Sequence, residues 1–95
     1  MTIRMEGIIP PLVTPFAKNG SINENMFRRI INNVIDKGVH GVFVAGSQGE
    51  FFSLERQERI KLFEVAVEEV SGKVPVYAGT AAITTSETVL LTKAA

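Results

Sequence analysis

Cysteine and tryptophan are both absent from this 95-residue chain, and histidine occurs once, as His40. Without cysteine there are no disulfide bonds and no thiolate chemistry, which fits a reducing cytoplasm. A single histidine without companion ligands does not make a metal site, so we expect no bound metal. Because His40 falls at the amino end of a predicted strand, away from the expected active face, we interpret it as structural.

An excess of charge of one sign and a long apolar run are also missing. Ten lysine and arginine residues balance ten aspartate and glutamate residues, so the charge gives no reason to expect nucleic acid or an anionic membrane as partner. No apolar run approaches the roughly 20 residues of a transmembrane helix, and the amino terminus has no apolar stretch typical of a secretory signal. We therefore predict a cytoplasmic protein.

What the chain does contain is an alternation of apolar segments and amphipathic helices. We predict strands at residues 7–14, 39–45 and 74–78, the first of them irregular or at an edge because Pro10 and Pro11 lack N–H donors. Each strand is followed by a predicted helix, capped in turn by Ser21, Ser53 and Thr84. The predicted buried faces are Met26, Phe27, Ile30, Ile31, Val34 and Ile35 in the first helix, and Ile60, Phe63, Val67 and Val70 in the second.

This alternation predicts a parallel α/β sheet. Three strands cannot close an eight-stranded barrel, which takes about 250 residues, and the last helix reaches Ala95 without a terminating glycine or proline. We therefore expect residues 1–95 to be the incomplete N-terminal part of one larger domain.

The segment from Val44 to Glu50 carries the strongest functional signal, because it follows a buried strand and precedes a helix. Active sites of parallel α/β proteins collect at the carboxyl ends of the strands. Gly46 allows close backbone approach to a ligand, and Ser47 and Gln48 offer a hydroxyl and an amide that could hold a carboxylate. The alternative is an ordinary connecting loop. Thr14, at the end of the first strand, has two interpretations: a hydroxyl at the pocket floor, or one that ties down its own turn.

Three segments in order resemble the pyruvate-dependent class I aldolases of the dihydrodipicolinate synthase and N-acetylneuraminate lyase family. They are residues 7–16 (GIIPPLVTPF), residues 41–50 (GVFVAGSQGE) and residues 74–80 (VPVYAGT) followed by 85–87. The resemblance implies a (β/α)8 TIM barrel, usually a homotetramer built from dimers. It implies an aldolase-type lyase that needs no cofactor, in which a lysine forms a Schiff base with pyruvate and a tyrosine relays protons. Both residues lie beyond position 95 in that family, so this chain alone is expected to be inactive.

Ser47 matches the family hydroxyl that helps to bind the pyruvate carboxylate and to relay protons, so it is our candidate catalytic residue. Ser47, Gln48, Gly46 and Thr14 are the candidate substrate-binding residues. Gln48 replaces the usual second threonine, and Ala81 and Ile83 depart from the synthase branch. These departures leave the activity open between a dihydrodipicolinate synthase, which acts on pyruvate and an aldehyde, and a keto-sugar-acid aldolase or another pyruvate lyase, which acts on a keto acid.

Other functional readings of the same residues remain. Residues 45–49 nearly match a serine-hydrolase nucleophile elbow, but no histidine follows Ser47. The chain could also be a non-catalytic half-barrel module. We expect Glu50 to be structural, accepting hydrogen bonds from loop N–H groups, and Phe51 and Phe52 to pack in the core or at a subunit interface.

Overall fold

The computed structural model describes residues 5–95, which form three helices and a two-stranded parallel sheet. The order is α1 (Glu24–Asp36), β1 (Val42–Val44), α2 (Arg56–Val70), β2 (Val76–Ala78) and α3 (Thr85–Ala94), with a 3₁₀ turn at Phe51–Ser53. In the sheet Val42 is opposite Val76, Phe43 opposite Tyr77 and Val44 opposite Ala78. The predicted α/β alternation and parallel pairing are confirmed, although both strands are shorter than predicted. Within residues 5–95 no helix has the length and apolar character needed to cross a membrane.

The first predicted strand, residues 7–14, is an irregular extended segment beside β1. Phe43 donates its N–H to the carbonyl oxygen of Pro10 (3.0 Å), and Leu12 donates to that of Phe43 (2.9 Å). Pro11 forms an isolated parallel bridge to Phe43. Because two successive prolines supply no N–H groups, a continuous ladder cannot form here, as the sequence predicted.

The core lies between the sheet and the first two helices. Its buried members are Leu12, Val42 and Val44 from the sheet side, Phe27 and Ile31 from α1, and Leu62, Phe63, Val65, Ala66 and Val70 from α2, with Ala45. Side chains alternate between the two faces of a strand, so Phe43 and its register partner Tyr77 lie on the face opposite the helices. That second face leads to the candidate site.

The residues that cap the amino ends of α1 and α2 differ from the predicted ones. Asn23, not Ser21, caps α1 by accepting a hydrogen bond from the N–H of Met26 (3.0 Å). Ser53 lies in the 3₁₀ turn, and α2 is capped by Glu55, whose N–H donates to the Glu58 carboxylate (2.8 Å). The predicted Thr84 cap of α3 is confirmed, since its hydroxyl accepts from the N–H of Glu87 (3.2 Å).

The buried face of α2 is also rotated from the predicted one. Val67 is 60% exposed, while Leu62 and Ala66 are fully buried. The predicted Phe63 and Val70 are buried, but the prediction missed positions 59, 62 and 66, which complete the same row at the helix period. In α1 the prediction holds for Phe27 and Ile31, which are buried, but Met26 is exposed.

Candidate active site

The loop after β1 is a compact turn held by its own backbone. Ala45 and Glu50 both have left-handed backbone conformations, with φ of 59° and 58°. The N–H of Glu50 donates to the carbonyl oxygen of Ser47 (3.0 Å), and that of Phe51 to the carbonyl oxygen of Gly46 (3.3 Å). Residues 46–51 are therefore coupled, and a shift of Phe51 would be transmitted to Gly46 and Ser47.

Gly46, Ser47 and Gln48 lie together at the edge of an open cavity of about 470 Å³. Its remaining lining is apolar and comes from the strand face opposite the helices: Ile9, Pro11 and Phe43. The Ser47 and Gln48 side chains are exposed and make no hydrogen bond to any group among residues 5–95. The arrangement offers an apolar floor beside a hydroxyl and an amide, which suits a small molecule with one apolar and one carboxylate end.

Thr14 lies behind this loop and not in the cavity lining. Its side chain is 4% exposed. A Cβ built on Gly49 would lie 3.0 Å from the carbonyl oxygen of Leu12 and 3.1 Å from Thr14 Oγ1, so the loop backbone rests directly on this residue. Thr14 therefore packs against the neighbouring loop, its hydroxyl makes no hydrogen bond to its own turn among the described residues, and its role in binding stays a prediction.

Four other sequence candidates have clear positions. His40 is at the amino end of β1, where its Nδ1 accepts from the N–H of Ile8 (2.9 Å), as a structural role requires. Glu50 makes no side-chain cap to the 3₁₀ turn that follows it, so the expected bonding to loop N–H groups is wrong. Phe51 packs against the core, but Phe52 is 70% exposed.

The serine-hydrolase interpretation fails on local geometry. A nucleophile elbow places its serine on a sharp turn that leads directly into a helix. Here the residues after Ser47 form a turn and a 3₁₀ segment, and α2 begins only at Arg56. No histidine follows in the sequence.

Sequence reasoning missed Arg59, which is 3% exposed in α2. Its guanidinium donates to the carbonyl oxygen of Ala81 (2.6 Å) and to that of Gly79, and it stacks 5.1 Å from the centre of the Phe51 ring. Burial lowers the pKa of Arg59. The available signal was its position, four residues before Phe63 and seven before Ala66, on the buried face of α2.

Each lysine of the described chain is exposed, and none lines the cavity: Lys18, Lys37, Lys61, Lys73 and Lys93.

An ion pair joins α2 to α3. Arg56 binds the Glu87 carboxylate through two hydrogen bonds of 2.8 Å, which lower the pKa of Glu87 and raise that of Arg56.

The family model described as the dihydrodipicolinate synthetase family matches residues 4–95. The chain belongs to this family. An uncharacterized DapA-like lyase of Rhizobium meliloti is 47% identical over 94% of this chain, and a 4-hydroxy-tetrahydrodipicolinate synthase of Methanopyrus kandleri is 42% identical over 92%. The chain spans only 30% and 29% of the lengths of these two relatives.

Solved structures of family members have the same arrangement. The structure of YagE, a prophage protein of the dihydrodipicolinic acid synthase family from E. coli K12, was determined in complex with pyruvate. It matches with a TM-score of 0.91 and 36% identity, covering 95% of this chain and 30% of that one. N-acetylneuraminate lyase from Mycoplasma synoviae matches with a TM-score of 0.84 and 28% identity, covering 93% and 31%. The sequence-based family prediction is confirmed.

Proposed function

We propose that this chain is the N-terminal part of a (β/α)8 barrel enzyme, a lyase that condenses pyruvate with a second carbonyl compound or cleaves the corresponding product. The observation that carries the proposal is the position of Gly46, Ser47 and Gln48 at the carboxyl end of β1, around an apolar cavity. Family membership supports the lyase class, and the relative solved with pyruvate supports the substrate.

In this proposal pyruvate lies with its carboxylate at the loop and its methyl group toward Phe43 and Pro11. Ser47 donates its hydroxyl to the carboxylate and relays protons, and the Gln48 amide supplies a second donor. Gly46 permits the close approach of the backbone. Thr14 supports the loop from behind, through the contact with Gly49.

The nucleophile is proposed to be a lysine outside residues 1–95, because no lysine here reaches the cavity. Its neutral amine would add to the keto carbon of pyruvate and then expel water to form an imine. The imine would make the methyl group acidic enough to lose a proton through the relay, the resulting enamine carbon would attack an aldehyde, and hydrolysis of the product imine would free the lysine. No metal or other cofactor enters this chemistry.

The substrate that decides the activity is proposed to be either an aldehyde that condenses with pyruvate or a keto-sugar acid that is cleaved to pyruvate and an aldehyde. Gln48 is longer than the threonine usual in the family, lines the cavity and is exposed, and Ala81 and Ile83 depart from the synthase branch. A sugar-acid aldolase is therefore proposed beside the dihydrodipicolinate synthase activity suggested by the Methanopyrus kandleri relative. We also propose a cytoplasmic homo-oligomer, a dimer or tetramer.

The deciding experiment is reductive trapping in the complete protein. Incubation with pyruvate and borohydride should add one reduced pyruvate to a single lysine, which peptide mass spectrometry should place after residue 95. Lactate, which has no keto carbon, is the matched control and should add nothing. A folded protein that gains no mass with pyruvate would exclude the class I aldolase mechanism. The two possible activities are then compared by pyruvate release from keto-sugar acids and by condensation of pyruvate with aspartate semialdehyde.

A further inference from the structure

We propose that Arg59 is a positioning residue that holds the Gly46–Gln48 loop in its pyruvate-binding geometry. This inference rests on the proposed function of that loop. Arg59 itself is not part of the cavity lining and makes no hydrogen bond to Ser47. Its influence has to pass through the two loops that follow β1 and β2.

The contacts of Arg59 close a ring around the carboxyl ends of the two strands. The N–H of Gly79 donates to the carbonyl oxygen of Val44 at 2.7 Å, which joins the end of β2 to the end of β1. Arg59 binds the carbonyl oxygen of Gly79 from the other side and stacks on the Phe51 ring. The N–H of Phe51 returns to the carbonyl oxygen of Gly46. The loop carrying Ser47 is thereby fixed at both of its ends.

The choice of residue supports a positioning role over simple packing. A buried arginine loses hydration, which lowers the pKa of Arg59; the charge of Glu87 offsets this only in part, and among the described residues no carboxylate makes a hydrogen bond to Arg59. Its Nε has no hydrogen-bond partner in the described chain. An apolar side chain would fill the same space without this loss of hydration. The presence of arginine is explained by its planar guanidinium group, which binds two carbonyl oxygens and stacks on the Phe51 ring at the same time.

Two substitutions of Arg59 distinguish the hydrogen bonds of its guanidinium group from the volume and from the positive charge of its side chain. Arg59→Met keeps a long side chain without donors, and Arg59→Lys keeps the charge as a single donor group. Arg56→Met is the matched control: it lies three residues earlier on the same helix and breaks an ion pair with Glu87, but contacts neither loop carbonyl. The complete protein is used throughout.

Hydrogen exchange and steady-state kinetics are the two measurements. In Arg59→Met the hydrogen-bonded amides of Glu50, Phe51 and Gly79 should exchange about tenfold faster than in the parent, while those of α1 are unchanged. The KM for pyruvate should rise about tenfold, with a smaller change in kcat, because the loop binds the carboxylate before and during the reaction. Arg59→Lys should fall between, and Arg56→Met should change neither quantity.

A uniform rise in exchange across the protein, or folded Arg59→Met with normal loop exchange and normal KM, would overturn the proposal. If Arg59→Met does not fold, Phe51→Leu, which removes the ring and leaves the guanidinium, provides the same two readouts together with Arg59→Lys. If the parent protein does not trap pyruvate, the proposed function fails, but loop exchange still decides whether Arg59 fixes the loop.

Discussion

Gly79 lies against the backbone of Ala45 so closely that a Cβ on Gly79 would be 2.5 Å from the Ala45 carbonyl oxygen. The same Cβ would lie 2.8 Å from the carbonyl oxygen of Val44. Both neighbours are backbone atoms at the point where β1 ends and the candidate loop begins. Neither can move aside by changing a rotamer, so only glycine fits here without displacing the loop.

Gly79→Ala should therefore lower the free energy of unfolding by about 1–3 kcal/mol, the usual cost of overpacking, and should also raise the KM for pyruvate. Gly20→Ala is a control, because its Cβ meets no atom within 4 Å and the strain comes only from its positive φ of 89°. The control should lose stability without a change in KM. Chemical unfolding and pyruvate kinetics on the complete protein measure both effects, and equal kinetics for the two variants would contradict the argument.

The elements that the sequence predicted well are those whose signals were local. The irregular first segment follows from Pro10 and Pro11, the α3 cap follows from Thr84, and the loop at Gly46–Gln48 follows from its place after an apolar strand. The α1 cap was missed because Ser21 and Asn23 are both good capping residues. Ser21 instead donates its hydroxyl to the Asn19 side chain at 2.7 Å.

Contacts between distant segments have no local sequence signal, although helix spacing places Arg59 on the buried face of α2. Arg59 was missed because a charged residue in a helix usually faces solvent, and its partners at Gly79 and Ala81 are about 20 residues away in sequence. The structural position of Thr14 depends on the close approach of Gly49. Such contacts arise when loops after neighbouring strands meet, and no short spacing in the sequence encodes them.

Ser47 provides a direct test of the proposed proton relay. Ser47→Ala in the complete protein should reduce turnover by about 10- to 1000-fold, as loss of a positioned polar group does. Because Ser47 is exposed and makes no hydrogen bond in the described chain, its removal should leave thermal unfolding unchanged. Ser47→Thr keeps the hydroxyl and should be much milder. Equal damage from both variants would point to loop packing instead of chemistry.

The ion pair between Arg56 and Glu87 predicts a pH dependence of stability. Hydrogen bonding to Arg56 lowers the pKa of Glu87 below its ordinary value of 4.5. The carboxylate therefore stabilises the folded state fully above that ordinary value, and this contribution is lost as the pH falls through the lower folded-state value. Between neutral pH and about pH 3, the midpoint temperature of thermal unfolding should decrease more for the parent than for Glu87→Gln. Glu64→Gln, an exposed change outside this ion pair, should follow the parent.

The chain of 95 residues, prepared alone, should show no aldolase activity and should self-associate. All five of its lysines are exposed and none lines the cavity, so pyruvate and borohydride should leave no adduct on it. Phe27, Ile31 and Phe63 are covered within the chain. The surfaces that remain are the outer edge of β2, which pairs only with β1 among the described residues, and the exposed apolar side chains Val67, Val89 and Leu90. Sedimentation should show concentration-dependent association that Val67→Lys with Val89→Lys reduces. A protein that sediments as a monomer at all concentrations would contradict the predicted association. A pyruvate adduct on any of the five lysines would contradict the assignment of the nucleophile to a position outside this chain.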